Sequence, residues 1–186
     1  MRFRHFAGLV ALFLFASSSE AELAPRIARY ADAEYTRSYD PLKAVMTLHS
    51  RAVMTRGVRT LVIYGDGRTE YQYRDEPIEE GRMSREELDG LFEKAVRHGL
   101  AEWDTDTVLA WQLQDRGSPF PTVRDGSKVV IHIALERYSR GSYSAEDATR
   151  IIRVTSPEIA ARHLPDIPQY KALDDLCRVL WTWSER

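Results

Sequence analysis

Beyond residue 21 the chain carries four histidines, His49, His98, His132 and His163. Imidazoles hold a metal by local geometry when two lie on one face, as in His-Glu-x-x-His on a helix. No pair here has such a spacing. His98 falls in the last turn of a predicted helix, where a cation meets the carbonyl end. His132 falls on a predicted strand face opposite an aliphatic one and is read as a solvated residue rather than a ligand. Asp66 and the Asp104-Thr-Asp106 pair offer oxygens, but calcium takes about six to eight of them. Asp174-Asp175 reads as part of a solvated helix face. Cys177, the single cysteine, sits among Leu173, Leu176 and Leu180, where a thiol acts as a small apolar filler. These residues assign no catalytic group, no metal and no cofactor.

The larger motifs agree. The chain has no Gly-x-Ser-x-Gly, no phosphate-binding glycine loop, no dinucleotide fingerprint and no Cys-x-x-Cys. A site dispersed through the sequence would leave no such trace, so the question of an enzyme stays open, with a noncatalytic role preferred. Arg68, Tyr71, Tyr73 and Arg74 are residue types that stack and pair with nucleic acid. Net charge argues against that use: it is −2 for the whole chain and −3 once residues 1–21 are set aside.

Two loop-like stretches have a composition suited to protein contact. Arg137-Tyr-Ser-Arg-Gly-Ser-Tyr143 combines aromatic anchors with small, adaptable polar residues. Arg116 to Arg124 sets Phe120 between two prolines. The candidate binding residues are therefore Phe120, Arg137, Tyr138, Arg140 and Tyr143, in loops 116–127 and 138–148.

The ends place the chain. Residues 1–21 read as a signal peptide: Arg2, Arg4 and His5, then an apolar run from Phe6 to Ala16, then Ser19-Glu20-Ala21. That run rises only about 16 Å as a helix, against roughly 30 Å of bilayer core. The expectation is export to the periplasm or beyond after cleavage near Ala21, with no stable membrane insertion thereafter. Residues 22–41 read as a loosely attached arm with a short helix over Ile27 to Glu34, and residues 42–186 as one domain. One cysteine permits no intrachain disulfide, so burial must stabilise the fold.

Strands are predicted over Lys43 to Ser50, over both arms of a hairpin around Gly65-Asp66-Gly67, over Val129 to Arg137 and over Arg150 to Thr155, with Val108 to Leu113 a further possibility. Asp75 to Gly81 reads as an acidic loop. Ser84-Arg-Glu-Glu87 is a capping box, and Leu88, Leu91, Phe92, Ala95 and Val96 follow at helical spacing to Gly99. Ser156-Pro157-Glu158 opens a short helix. Gln169 to about Trp183 forms the last, with Tyr170, Leu173, Leu176, Cys177 and Leu180 as its stripe. The fold class is α+β, a mostly antiparallel sheet of about four to six strands with two amphipathic helices on one face.

The hairpin register follows from the side chains. A two-residue loop would set Val62 against Tyr71 and mix polar with apolar residues. A three-residue loop with Gly67 left-handed puts Leu61 and Ile63 on one face with Thr69, Tyr71 and Tyr73. The three-residue loop is the expectation.

Leu61-Val-Ile-Tyr-Gly-Asp-Gly-Arg68, the Ser84-capped helix, Gly99-Leu100 and the strand–Pro–helix tail resemble small exported bacterial domains of unknown function built on a strand–IYGDG–strand hairpin. The resemblance covers about residues 43 to 183. Some of those domains carry cysteines before the hairpin; Met54-Thr-Arg-Gly57 has none, so no redox role follows. The plan is also distantly similar to emfourin-type protease inhibitors, without a matching inhibitory motif. The resulting expectation is an exported noncatalytic domain that binds a protein or peptide partner. The alternatives are a small-ligand binder or hydrolase with a dispersed site, and a secreted protease inhibitor.

Overall fold

The computed structural model describes residues 30–52, 57–103, 126–165 and 167–183. The signal-like stretch, Phe120, Asp104 and Asp106, the possible strand at Val108 to Leu113 and nearly all of the 116–127 loop lie outside the described residues.

Among the described residues, seven strands form one sheet: β1 (Glu34–Thr36), β2 (Ala44–Arg51), β3 (Val58–Tyr64), β4 (Arg68–Tyr73), β5 (Glu79–Arg82), β6 (Lys128–Arg140) and β7 (Tyr143–Thr155). Three helices accompany them: α1 (Arg85–Arg97), α2 (Pro157–His163) and α3 (Pro168–Trp183), with a 3-10 turn at Leu100–Glu102. Every pairing between described strands is antiparallel. The α+β class holds, with seven strands among the described residues instead of four to six and three helices instead of two.

The two strands not foreseen are short and lack apolar alternation. β5 is Glu-Glu-Gly-Arg, paired with β4 from Arg68↔Arg82 to Tyr71↔Glu79. β1 lies in the stretch read as a loose arm. Its three residues pair with Thr36↔Arg137 through Glu34↔Ser139. One edge of β6 thus meets β2 along Lys128 to Ile133 and β1 along Arg137 to Ser139, while its other edge meets β7. From Tyr30 onward the arm is docked: Ala33, Arg37 and Ser38 are buried, and three carbonyls, those of Tyr30, Ala31 and Ala33, accept from the Arg97 guanidinium. Residues 30–32 form a turn rather than the expected helix.

The predicted hairpin register is observed. Leu61 faces Tyr71 and Ile63 faces Thr69, all four buried, and Gly67 is left-handed at φ 88. Both glycines of the turn are also required by their neighbours. A Cβ on Gly65 would stand 2.6 Å from the Asp40 carbonyl oxygen, and one on Gly67 would collide with that of Met83. The turn is therefore a junction. Gly65 N–H donates to Lys43, Arg37 donates to the Gly65 carbonyl, and Met83 N–H donates to the Gly67 carbonyl.

α1 begins as expected. The Glu87 amide donates to Ser84 Oγ at 3.1 Å, and the Ser84 amide donates to Glu87 at 2.8 Å. Its Leu88, Phe92, Ala95 and Val96 join a single core with Tyr170, Leu173, Leu176 and Cys177 of α3 and with Leu48, Leu61, Ile131, Ile133 and Ile152 of the sheet. The opposite sheet face carries Thr47, His49, Thr60, Val62 and Glu70, half-buried, with His132 and Ile151 exposed. An antiparallel sheet can leave one face toward water in this way. Among the described residues, no helix is long and apolar enough to cross a membrane.

Candidate interaction surface

The stretch read as the loop 138–148 is not a loop. β6 and β7 form one hairpin of two thirteen-residue strands, paired from Lys128↔Thr155 to Arg140↔Tyr143, and turning over Gly141 and Ser142. Serine, tyrosine and arginine side chains gave no clear period, and the pairing that makes this segment a strand comes from elsewhere in the chain.

The ladder explains how the hairpin positions its side chains. Along β6, Val129, Ile131, Ile133 and Leu135 alternate into the core, as their spacing predicts. Strict alternation would then point Tyr138 to solvent. Instead the ladder skips Glu136 and Asp147, with Asp147 left-handed at φ 47. After that interruption Tyr138 and its partner Ala145 face the core again. A left-handed Asp is among the less costly non-glycine choices for such a position.

Four of the five candidate binding residues are described, and they divide sharply. Tyr138 is fully buried. Its hydroxyl donates to Glu102 Oε1 at 2.7 Å, and burial, reinforced by that bond, pushes the phenol well above its ordinary range. Arg140 grips the same carboxylate with both edges of its guanidinium, Nε to Oε1 at 2.6 Å and Nη2 to Oε2 at 2.7 Å. It also lies over the Tyr30 ring. Its partner Glu102 holds it firmly protonated. Tyr138 and Arg140 are thus brought together, but as a brace tying the hairpin to the 3-10 turn, not as free contact residues. Their side chains are committed inside the domain.

Arg137 and Tyr143 remain at the surface. Arg137 forms an exposed pair with Glu146 at 3.0 Å, which contributes little to stability. Tyr143 is 43% exposed and accepts a hydrogen bond from Arg150 Nη2 at 3.1 Å. Arg150 Nε in turn donates to the Ala101 carbonyl at 2.7 Å, a second tie to the 3-10 turn.

Ile151 and Arg153 belong to neither of the two loop-like stretches. Ile151 is as exposed as Tyr143 and lies directly across from His132. The alternation of RIIRVT carried the signal, since one of two adjacent isoleucines must face away from the core. The His132 neighbours in the sheet are Thr47 and Ile151. His49 Nδ1 lies 3.0 Å from Thr60 Oγ1. Among the described residues, no three His, Cys, Asp or Glu side chains gather as metal ligands. Cys177 is buried, and that burial pushes its thiol up to about 12.

β7 is the long edge of the sheet. Among the described strands it pairs only with β6, while the other edge strand, β5, has four residues. An edge strand presents a row of backbone N–H and C=O groups that another extended chain can complete.

No protein-family model, no curated protein and no solved structure matches this chain.

Proposed function

We propose that this is an exported, noncatalytic domain that holds a protein or peptide partner along the outer side of the β6–β7 hairpin, in the periplasm or outside the cell. The observation that supports it is the thirteen-residue edge strand β7, which carries the exposed apolar residues Tyr143 and Ile151. Main-chain hydrogen bonds along such an edge supply affinity, and side chains on alternate positions supply selectivity. The brace of Tyr138, Arg140 and Glu102 holds the hairpin rigid, so little ordering entropy opposes binding. Export rests on the leader-like N-terminus and on the likeness of the hairpin around Gly65-Asp66-Gly67 to exported domains. Phe120 belongs to the same proposal as a contact from the 116–127 loop.

The test is site-specific photo-crosslinking in the native envelope fraction. A photoreactive residue at position 151 is compared with one at position 78, where Ile78 is also exposed but lies in the β4–β5 connection. Crosslinks from position 151 that weaken in Tyr143→Ala or Phe120→Ala are expected. Equal capture from both positions, or none from position 151, would sink the reading.

A further inference from the structure

On the sheet face opposite the core, one valine is ringed by cationic and imidazole side chains. Val130 has His49 of β2 directly across from it on one side and Arg153 of β7 on the other. Lys128 and His132, two positions before and after it on β6, share its face. Arg51 stands directly opposite Lys128 at the end of the β2–β6 ladder. None of these ring residues is a carboxylate. Among the described residues, Arg51, Lys128 and Arg153 form no ion pair, and all three are exposed. Like charges directly opposite destabilise a strand pair, so the sheet keeps Arg51 against Lys128 at some cost to its own stability. Arg150 does not belong with them, because its guanidinium is spent on the Ala101 carbonyl and Tyr143.

We infer that the segment held on the outer side of the hairpin is an acidic peptide, with carboxylates toward Arg153 and Lys128 and an aliphatic side chain beside Ile151. This rests on the reading of that hairpin as the binding surface and names the chemistry of what it holds. A strand added to β7 sets alternate side chains on the Val130 face. One of them falls opposite Arg153 and another, two positions along, opposite the exposed Ile151. The complementary pattern is therefore acidic–x–aliphatic. A second acidic residue, two positions beyond the first, falls opposite Thr155 and reaches toward its partner Lys128. Carboxylates accept charge-assisted hydrogen bonds from both cation types and relieve the repulsion between Lys128 and Arg51. Asp147, exposed and nearer the turn of the hairpin, repels an acidic residue placed there and so fixes which end of β7 the acids take. The same ring disfavours nucleic acid and anionic lipid. It has no aromatic side chain on which a base could stack, and a chain of net charge −2 repels an extended polyanion.

Amide chemical shifts of the isotopically labelled chain, freed of residues 1–21, test this with synthetic peptides. The probes are Thr-Glu-Thr-Glu-Thr-Val-Thr and its reverse, since β7 can take a strand in either direction, and the same peptides with Lys in place of Glu. A Glu peptide should shift the amides of β2, β6 and β7 around Val130, less so at raised salt, and the Lys peptides should shift none of them. Lys128→Glu is the informative variant. It turns a like-charge pair with Arg51 into an attractive one, so its urea midpoint should rise while its affinity for the Glu peptide falls on the order of tenfold. A fall in both would make Lys128 a structural residue and overturn its role, as would unchanged affinity. Equal shifts from Glu and Lys peptides, or none from either, overturn the proposal. So does a larger response of the ring to oligothymidylate or to phosphatidylserine vesicles than to the Glu peptides. If the peptides fail while position 151 still crosslinks a protein, the hairpin reading stands and only the acidic chemistry fails. If position 151 then captures nothing, both fail.

Discussion

Arg37 reaches across fifty-two positions to Asp89, donating from both Nε and Nη2 to the same carboxylate oxygen at 2.9 and 2.6 Å. The Arg37 side chain is 2% exposed and Asp89 is 43% exposed, so a buried cation is drawn to the surface end of its partner. The same guanidinium also donates to the carbonyls of Ser38 and Gly65. One side chain therefore joins the N-terminal segment, the hairpin turn and α1.

Arg37→Met should destabilise the domain by about 3 kcal/mol, because two buried carbonyls lose their donor along with the ion pair. Arg82→Met, which removes a largely solvated pair with the Asp66 carboxylate and a hydrogen bond to the Asp66 carbonyl, should cost less than about 1 kcal/mol. Urea denaturation of the two variants decides it, and equal losses would deny Arg37 its joining role.

Gly65→Ala should cost on the order of 1–3 kcal/mol, the usual range for forcing extra volume into a packed site. Its Cβ would meet backbone atoms of Ser38 and Asp40, not a side chain that can swing aside. Gly90, inside α1 with nothing within 4 Å of its Cβ position, is the contrast. Gly90→Ala should stabilise by about 0.5–1 kcal/mol through helix propensity. The two changes have opposite signs, so a shared sign in denaturant midpoints would contradict this account.

Tyr138→Ala should unfold or severely weaken the domain, since truncating a buried aromatic costs about 3–5 kcal/mol. Tyr138→Phe should cost about 1 kcal/mol through the lost bond to Glu102. Tyr143→Ala should leave stability within about 1 kcal/mol of the wild type and act on partner capture instead. A stability loss at Tyr143 matching that at Tyr138 would place both in the core.

Alkaline pH should loosen the fold. Unfolded cysteine titrates near about 8.5 and tyrosine near about 10, whereas burial pushes Cys177, Tyr35 and Tyr170 each up to about 12 in the folded chain. These groups keep their protons longer when folded. Their contribution is therefore complete below the unfolded values and is lost as pH rises toward about 12. Urea midpoints should fall from about pH 9 upward, and Cys177→Ala should delay the onset toward the range of about 10 where tyrosine titrates. A thiol reagent should label Cys177 only in denaturant. Rapid labelling of the native protein, or an unchanged onset in Cys177→Ala, would refute the assignment.

Local chemistry alone determined much of this protein. The hairpin register, the Ser84 capping box, the left-handed Gly99 and the aliphatic face of β6 depend on residues a few positions apart, and each stands as read. The class followed from the same signals, because hairpins and capped amphipathic helices in that order favour α+β with antiparallel strands. Only tertiary structure decided β1 and β5, which are too short and too polar to show a period and exist because β6 and β4 offer them hydrogen bonds. It also decided the candidate site. Tyr138 and Tyr143 have similar neighbours in sequence, yet the break in alternation at Glu136 and Asp147 buries one beside Glu102 and leaves the other at the surface. The partner that consumes Tyr138 lies thirty-six positions away. A periodic pattern reports which face of its own element a residue occupies, whereas a contact at that separation depends on how the whole sheet closes.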